Sequence, residues 1–356
     1  MKLGARILKT GIAIILSLFL SQVFHLPSPV FAAIAAIFAI QPTIYRSFLS
    51  IIEQVQGNAI GAIIAVVFVL LFGNDMFIIG LAAIIVITIN LKLKIENTIG
   101  LALVTMIVIM ETPSDEFIQF AIIRFSTVML GVFSAFVVNL FFLPPKYEKK
   151  LYFSISDITE ETTKWIRLTI RHASEHKLLQ NDIGKMKAAV RNLDHLYLMY
   201  KEERNYLKKD TLPKSRKLVI YRQMISTVKR SLEILRKLHR FENDLQEMPA
   251  DFQATVKQQL DSLIHYHEHI MLKFIGKVRP HLVDNEGDIF LNRKELFNLF
   301  LSQKVEANIE DEAVLSHNMQ IISAITDYSE QVEHLDKLIT SFQTYHTKTN
   351  EMTIEK

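Results

Sequence analysis

The chain is 356 residues long, 50% hydrophobic and 22% charged, with a formal net charge of +3. It is too apolar for an ordinary soluble protein and too charged for a purely membrane-embedded one, so both single-class readings are excluded. No half carries a basic field of the kind nucleic acid requires, and the absence of cysteine removes disulfides, thiolate metal sites and cysteine nucleophiles together.

The two characters are segregated along the chain. Residues 1–146 hold 8 Lys or Arg and 6 Asp or Glu, which leaves 32 and 31 for residues 147–356. The break falls near Pro144-Pro145, which predicts a transmembrane domain over 1–146 and a cytosolic helical domain over 147–356. Residues 1–24 have a basic start and an apolar core but no small-residue cleavage site, and further apolar runs follow, so this segment is expected to stay as a membrane helix. Apolar runs at 7–24, 30–45, 57–72, 76–91, 98–110 and 117–143 give six spans as the simplest count, although several fall short of the roughly 20 residues a spanning helix needs.

Charge placement supports that count independently. The connections carry in turn Lys2, Arg6 and Lys9; no cation around 25–29; Arg46; Asp75 alone; Lys92 and Lys94; Glu111, Asp115 and Glu116 alone; then Lys146, Lys149 and Lys150. Positive and non-positive connections alternate throughout, and the positive-inside rule then puts both ends of the membrane half, and the second half with them, in the cytoplasm.

Within the second run, Ala32, Ala33, Ala35, Ala36 and Ala39 make a thin helix, which ends at Gln41-Pro42-Thr43. Residues 47–56 alternate Phe48, Leu49, Ile51, Ile52 and Val55 with Ser47, Ser50, Glu53, Gln54 and Gln56, as suits a helix on the inner membrane surface or a cytosolic extension of a span. Gly57 and Gly61 then form a GxxxG face at the expected start of the third span, a pattern of close packing within or between subunits. Polar residues at depth are few: Gln41, Asn58, Asn90, Asn97, Thr105, Arg124 and Asn139. Arg124 cannot readily lose its proton, so it is expected either at the outer boundary, paired with Glu111, Asp115 or Glu116, or facing a pathway as an anion-binding group.

These residues resemble the aromatic acid exporter family, in particular its short six-span bacterial members with a C-terminal cytosolic domain, which are related to the fusaric acid resistance type transporters. The resemblance is carried by Gln41-Pro42-Thr43 with Tyr45-Arg46-Ser47, Gly57-Asn58-x-x-Gly61, the charged loop 91–96, Arg124-Phe125, Gly131, and Val138-Asn139 running into Pro144-Pro145-Lys146-Tyr147-Glu148. Larger relatives show Arg-x-x-Gly-Thr-x-x-Gly where this chain has Gln54-x-x-Gly57-Asn58-x-x-Gly61, so the substrate's charge preference does not carry over. The resemblance implies export of aromatic carboxylates. By analogy with twelve-span relatives built of two six-span halves, it also implies a homodimer or higher homo-oligomer, with Gly57 and Gly61 as a candidate seam.

Beyond Lys146 the pattern is helical throughout. Apolar stripes run through Ile155, Ile158, Trp165 and Leu168; through Met186, Val190, Leu193, Tyr197 and Tyr200; through Leu218, Tyr221, Ile225, Val228, Leu232 and Leu235; and through Leu315 to Phe342, with breaks at 181–184, 210–213, 248–249 and 279–288. They predict an antiparallel helical bundle. Asp261, His265 and His269 share one helix face beside His267 and Glu268, but a surface histidine run is the commoner explanation, and no metal site is assigned. Residues 284–288 read as a turn rather than a calcium loop, and the cations from Lys208 to Arg240 as a solvated face. No nucleotide, metalloprotease or nucleophile-elbow motif is present, so neither a cofactor nor an enzyme is expected.

The expectation is therefore an all-α protein, a six-span transmembrane bundle followed by a cytosolic bundle. It would act as a secondary exporter of aromatic carboxylic acids or related small organic anions, driven by an ion gradient or passive. Its partners would be the lipid bilayer, a small organic anion and a second copy, with no nucleic acid. Gln41, Asn58 and Arg124 are the candidate substrate contacts, and Pro42, Gly57 and Gly61 the gating or packing positions. The alternative is a membrane-anchored scaffold or sensor whose cytosolic bundle binds a partner or ligand. On the predicted topology, Pro29 to Gly61 turns on the cytosolic side and is the best candidate for an inner gate.

Overall fold

The computed structural model describes residues 5–112, 117–141, 147–202, 211–278, 296–298, 300–302 and 312–345. Asp115, Glu116, Pro144, Pro145, Lys208, Lys209 and the turn at 284–288 lie outside them. All regular structure among the described residues is helical. The chain divides into two compact units, 1–146 with 202–204, and 147–201 with 205–356.

The first unit contains α1 (Ala5–Val23), α2 (Pro29–Ala39), α3 (Ile44–Phe72), α4 (Met76–Lys92), α5 (Ile99–Met110) and α6 (Phe117–Phe141). Local chemistry sets their ends. Pro29 opens α2 at a position where its missing N–H costs nothing. Pro42 follows the end of α2, and Thr43 caps α3 by accepting a hydrogen bond from the Arg46 N–H at 3.1 Å. Gly73, with φ of 81°, closes α3 in a left-handed conformation that a side chain would resist.

Two expectations change here. The third helix does not restart at Gly57 but runs unbroken from Ile44, so the amphipathic connector is its first three turns. And six helices occupy the six expected places, yet among the described residues three, at Arg6–Val23, Ile44–Phe72 and Ile118–Phe141, are both long and apolar enough to cross a bilayer. With 11 residues, α2 spans about 16 Å, half of a 30 Å hydrocarbon core, because Gln41-Pro42 ends it. The 12-residue α5 is shortened in the same way by a 3₁₀ turn at Glu96–Thr98.

Two apolar clusters fill this unit. One joins α1, α2 and α6 through Ala13, Ala35, Ala36, Ala39, Val128, Val132, Ala135 and Val138; the other joins α3, α4 and α5 through Ala65, Ala82, Val86, Ala102, Met106 and Ile109. Small residues dominate the contacts, whereas Ile63, Leu71, Phe72 and Phe77 are more than half exposed. Small side chains inside and large apolar ones outside is the distribution lipid selects, since lipid tails solvate leucine and phenylalanine as well as a core does.

The second unit contains α7 (Tyr147–Thr169), α8 (His176–Glu202), α9 (Thr211–Arg240), α10 (Glu242–Gln246), α11 (Ala250–Phe274) and α12 (Glu312–Tyr345) around one core in which Tyr221, Tyr328, Phe252 and Phe342 are the largest fully buried side chains. The expected break at 181–184 is absent: α8 continues through Gly184, with Asp182 accepting from Lys185 Nζ at 2.8 Å one turn later. A lone glycine costs a helix only about 1 kcal/mol, too little to stop it. The break lies earlier, where His172 takes a φ of 53°.

Candidate functional site

The buried face of α3 consists of Ser47, Ser50, Gln54, Gly57, Asn58, Gly61 and Ala65, which recur at helical spacing, while Phe48, Ile52, Val55 and Ile63 point outward. The polar stripe is the inward one. Asn58 donates from Nδ2 to the Gln54 carbonyl at 2.9 Å and to Gln54 Oε1 at 3.1 Å, and its Oδ1 accepts from Thr105 Oγ1 at 2.8 Å. Gln54, standing where larger relatives carry arginine, is thus an acceptor inside the helix packing. Asn58 has its amide hydrogens and oxygen engaged within the chain.

Gly57 and Gly61 are packing positions on this same face. A Cβ on Gly61 would come within 2.6 Å of the Ala102 carbonyl oxygen, and one on Gly57 would collide with the Thr98 side chain. The contacts 57 to 98 and 61 to 102 keep one register, so α3 and α5 run side by side in the same direction. Gly61 thus packs on Ala102 of α5 and Gly57 on Thr98 in the 3₁₀ turn before it, the within-chain form of the close packing that a GxxxG face predicts.

A second polar cluster joins α1 and α6 to the turn between α2 and α3. Lys9 Nζ donates to Asn139 Oδ1 at 2.8 Å, and Asn139 Nδ2 donates to the carbonyls of Gln41 at 3.1 Å and Thr43 at 3.2 Å. Lys9 is only 5% exposed. Gln41 enters through its main chain, and Pro42 beside it sets the turn that presents the two carbonyls. Sequence reasoning missed Lys9, counting it as a loop charge, and named Asn139 only as one of the few polar residues at depth. The signal was present, because Lys9, Ala13, Ser17 and Ser21 repeat at four-residue steps and all are buried.

Arg124 is 3% exposed, and its Nε, Nη1 and Nη2 make no hydrogen bond among the described residues. Its guanidinium lies over the ring of Phe31 from α2, 2.9 Å from the centroid. The expected pairing with Glu111 is not formed, and Glu111 is exposed. Arg124 and Asn139 stand 15 positions apart on α6, about 22 Å along the axis. Gln41, Asn58 and Arg124 are therefore not brought into one constellation: Gln41 joins Lys9 and Asn139, Asn58 sits in the α3–α5 packing, and Arg124 with Phe31 stands at the opposite end of the α2–α6 pair. An apolar groove of about 360 Å³ between α3 and α6, lined by Ala59, Ala62, Val66, Ala121, Ile122 and Phe125, holds none of the three.

In the second unit the histidine run divides. His267 is fully buried, its Nδ1 2.8 Å from Tyr328 Oη, while His265 is exposed. Glu268 accepts from Arg167 of α7 at 2.7 Å, and Asp261 lies 3.5 Å from Arg171 just beyond the end of α7, so the end of that helix and the turn after it supply cations to that face. Among the basic residues, Lys217 pairs with Glu148 and Lys229 with Asp194, each at 2.9 Å.

Residues 99–331 match the family model described as the fusaric acid resistance protein family, and residues 1–142 match the model described as aromatic acid exporter family member 1. The chain belongs to the fusaric acid resistance family. The expectation drawn from Gln41-Pro42-Thr43 and Arg124-Phe125 is met, and the fusaric acid resistance match runs from the first unit far into the second. A Bacillus subtilis protein named UPF0421 protein YgaE is 54% identical over 357 residues, covering all of both chains. A UPF0421 protein of Oceanobacillus iheyensis is 28% identical over 85% of each chain, and one of Staphylococcus epidermidis 26% identical over 58% of this chain and 65% of the relative. The fusaric acid resistance and aromatic acid exporter families are of membrane transporter type, and with the apolar helices of the first unit they mark this chain as a membrane protein.

Proposed function

We propose that this member of the fusaric acid resistance family is a secondary exporter of aromatic carboxylates or related small organic anions. On this reading the first unit crosses the cell membrane six times, α2 and α5 being completed by the segments beside them. The two chain ends and the second unit, an antiparallel bundle, are cytoplasmic, and two copies work together. The single observation that carries the reading is Arg124. A buried guanidinium without a hydrogen-bonding partner among the described residues is costly at membrane depth unless a ligand supplies one. Its planar fork fits a carboxylate, and the Phe31 ring beneath it holds the guanidinium in place. The Lys9–Asn139 cluster, which ties α1 and α6 to the Gln41-Pro42-Thr43 turn, would then be the inner gate.

The test adds hydroxybenzoate-type acids to the medium of inside-out vesicles from a strain that lacks the chromosomal copy and carries the gene on a plasmid. Gradient-dependent uptake is expected for the wild type, with at least a tenfold loss in Arg124→Gln, in keeping with the one to three kcal/mol typical of a charge-assisted hydrogen bond. Uptake that ignores both the gradient and the substitution overturns the proposal. The alternative, a membrane-anchored scaffold or sensor, draws on one observation: Asn58 spends its hydrogen bonds on Gln54 and Thr105, as a packing residue would.

A further inference from the structure

In the second unit, three side chains that the exporter reading does not use converge from three helices. His176 is the first residue of α8, His239 the last but one of α9, and Glu242 the first of α10; one potential ligand atom from each lies within 4.8 Å of the other two. The two imidazole rings face each other with centroids 4.1 Å apart, and the buried His239 Nδ1 has no hydrogen-bond partner among the described residues. We propose that His176, His239 and Glu242 bind one divalent transition ion of the zinc class.

The ligand chemistry is right for such an ion. Two imidazoles and one carboxylate favour Zn²⁺ and its neighbours over Mg²⁺ or Ca²⁺, which prefer oxygen, and a tetrahedral ion with bonds near 2.0–2.2 Å draws ligand atoms to about 3.3 Å apart. Small side-chain rotations from the present separations suffice. Because His176 is exposed, the fourth position opens to solvent, the pattern of an exchangeable rather than a closed structural site.

The backbone around the three residues is held firmly enough to keep them together. The chain bends at Phe241 between α9 and α10, which aims His239 and Glu242, three residues apart, into one space. Phe241 stacks on His317 at 4.2 Å, His317 Nδ1 contacts Asp244 Oδ2 at 2.9 Å, and Asn318 Nδ2 donates to the Asp244 carbonyl at 3.0 Å, so α12 fixes α10. On the far side, Tyr200 against Tyr221 and Asp194 against Lys229 align α8 with α9 and bring His176 to the end of α9. His172 Nδ1 lies 3.0 Å from Gln246 Nε2, whose amide donates to it, and 3.8 Å from the Glu242 carboxylate, beyond hydrogen-bonding distance. Arg236 and Arg240 line a cavity of about 310 Å³ that His239 shares, so coordination bonds rather than the local field must supply the affinity.

The test is titration of the full chain, purified in detergent without a polyhistidine tag, with Zn²⁺ alone by calorimetry and with Co²⁺ alone by its visible absorption. One ion per chain and a tetrahedral or five-coordinate Co²⁺ spectrum are expected. Affinity should fall about 100-fold or more in His176→Ala and in Glu242→Gln, and stay unchanged in His265→Ala. His176 and His265 are both exposed, so neither substitution threatens folding, and circular dichroism checks each variant. Equal binding by the wild type and His176→Ala, or no binding by a folded wild type, overturns the site. Because the readout is metal binding alone, it stands or falls separately from transport.

Discussion

Single residues in this protein are set by what surrounds them more than by their type. Burial holds the His267 imidazole down to about 4, against 6.5 for an unperturbed group, and raises Tyr328 beside it. Between those pH values the unfolded chain binds the proton that the folded chain refuses. The contribution of His267 to stability is therefore complete above about pH 6.5 and is lost as pH drops toward 4, by up to ~3 kcal/mol. The sole tryptophan, Trp165, lies in that unit's core and reports its melting. His267→Gln should flatten the loss between pH 7 and 5 seen in tryptophan-monitored melts; an unchanged pH slope would assign it to other groups. In the first unit, Asn58→Leu leaves Thr105 Oγ1 without its acceptor and should cost ~1–3 kcal/mol, whereas adding Thr105→Val should recover part of that, because an apolar pair leaves nothing unpaired. Melting of the single and double variants in detergent measures the difference.

Helix α3 shows how much an element's pattern conceals. Its first three turns read as a surface connector because Ser47, Ser50, Gln54 and Gln56 interrupt the apolar run, and mean hydropathy cannot say which face is buried. In a soluble helix the polar face would be outside. Here Ser47, Ser50, Gln54 and Asn58 are inside, and the apolar face is outside, where lipid accepts it. The two contact glycines, by contrast, stand out by spacing alone, since a GxxxG face predicts close packing within or between subunits and the contacts seen lie within the chain. Substituting valine at Gly61 should lower thermal stability by ~1–3 kcal/mol or block accumulation of the protein, while Gly80→Val, where nothing lies within 4 Å of the added carbon, should be tolerated. Membrane yield and fluorescence-detected melting separate the two.

At the scale of the whole molecule, the change of composition near residue 146 coincides with the boundary between the two compact units, since charge and hydropathy averaged over a hundred residues are robust where single contacts are not. The positions of Arg124 and Asn58 relative to each other were not legible, because they depend on which helices pack together, and nothing in a single sequence states that. The alternation of charged connections makes a further prediction that the absence of cysteine renders easy to test. Single cysteines placed at Asp75 and Glu111 should react with a membrane-impermeant maleimide added outside cells, and one at Lys94 should not; labelling at Lys94 would overturn the six-span topology.

The bond between Lys9 and Asn139 joins positions 130 residues apart, and this has a consequence for how the protein is made. Lys9 belongs to the first helix to leave the ribosome and Asn139 to the end of the sixth. At 5–20 residues per second, the ammonium waits roughly 7–26 s for its acceptor to be synthesised. During that interval Lys9 has no Asn139 to donate to, so the link that ties α1 to α6 and to the turn before α3 forms only once α6 is complete.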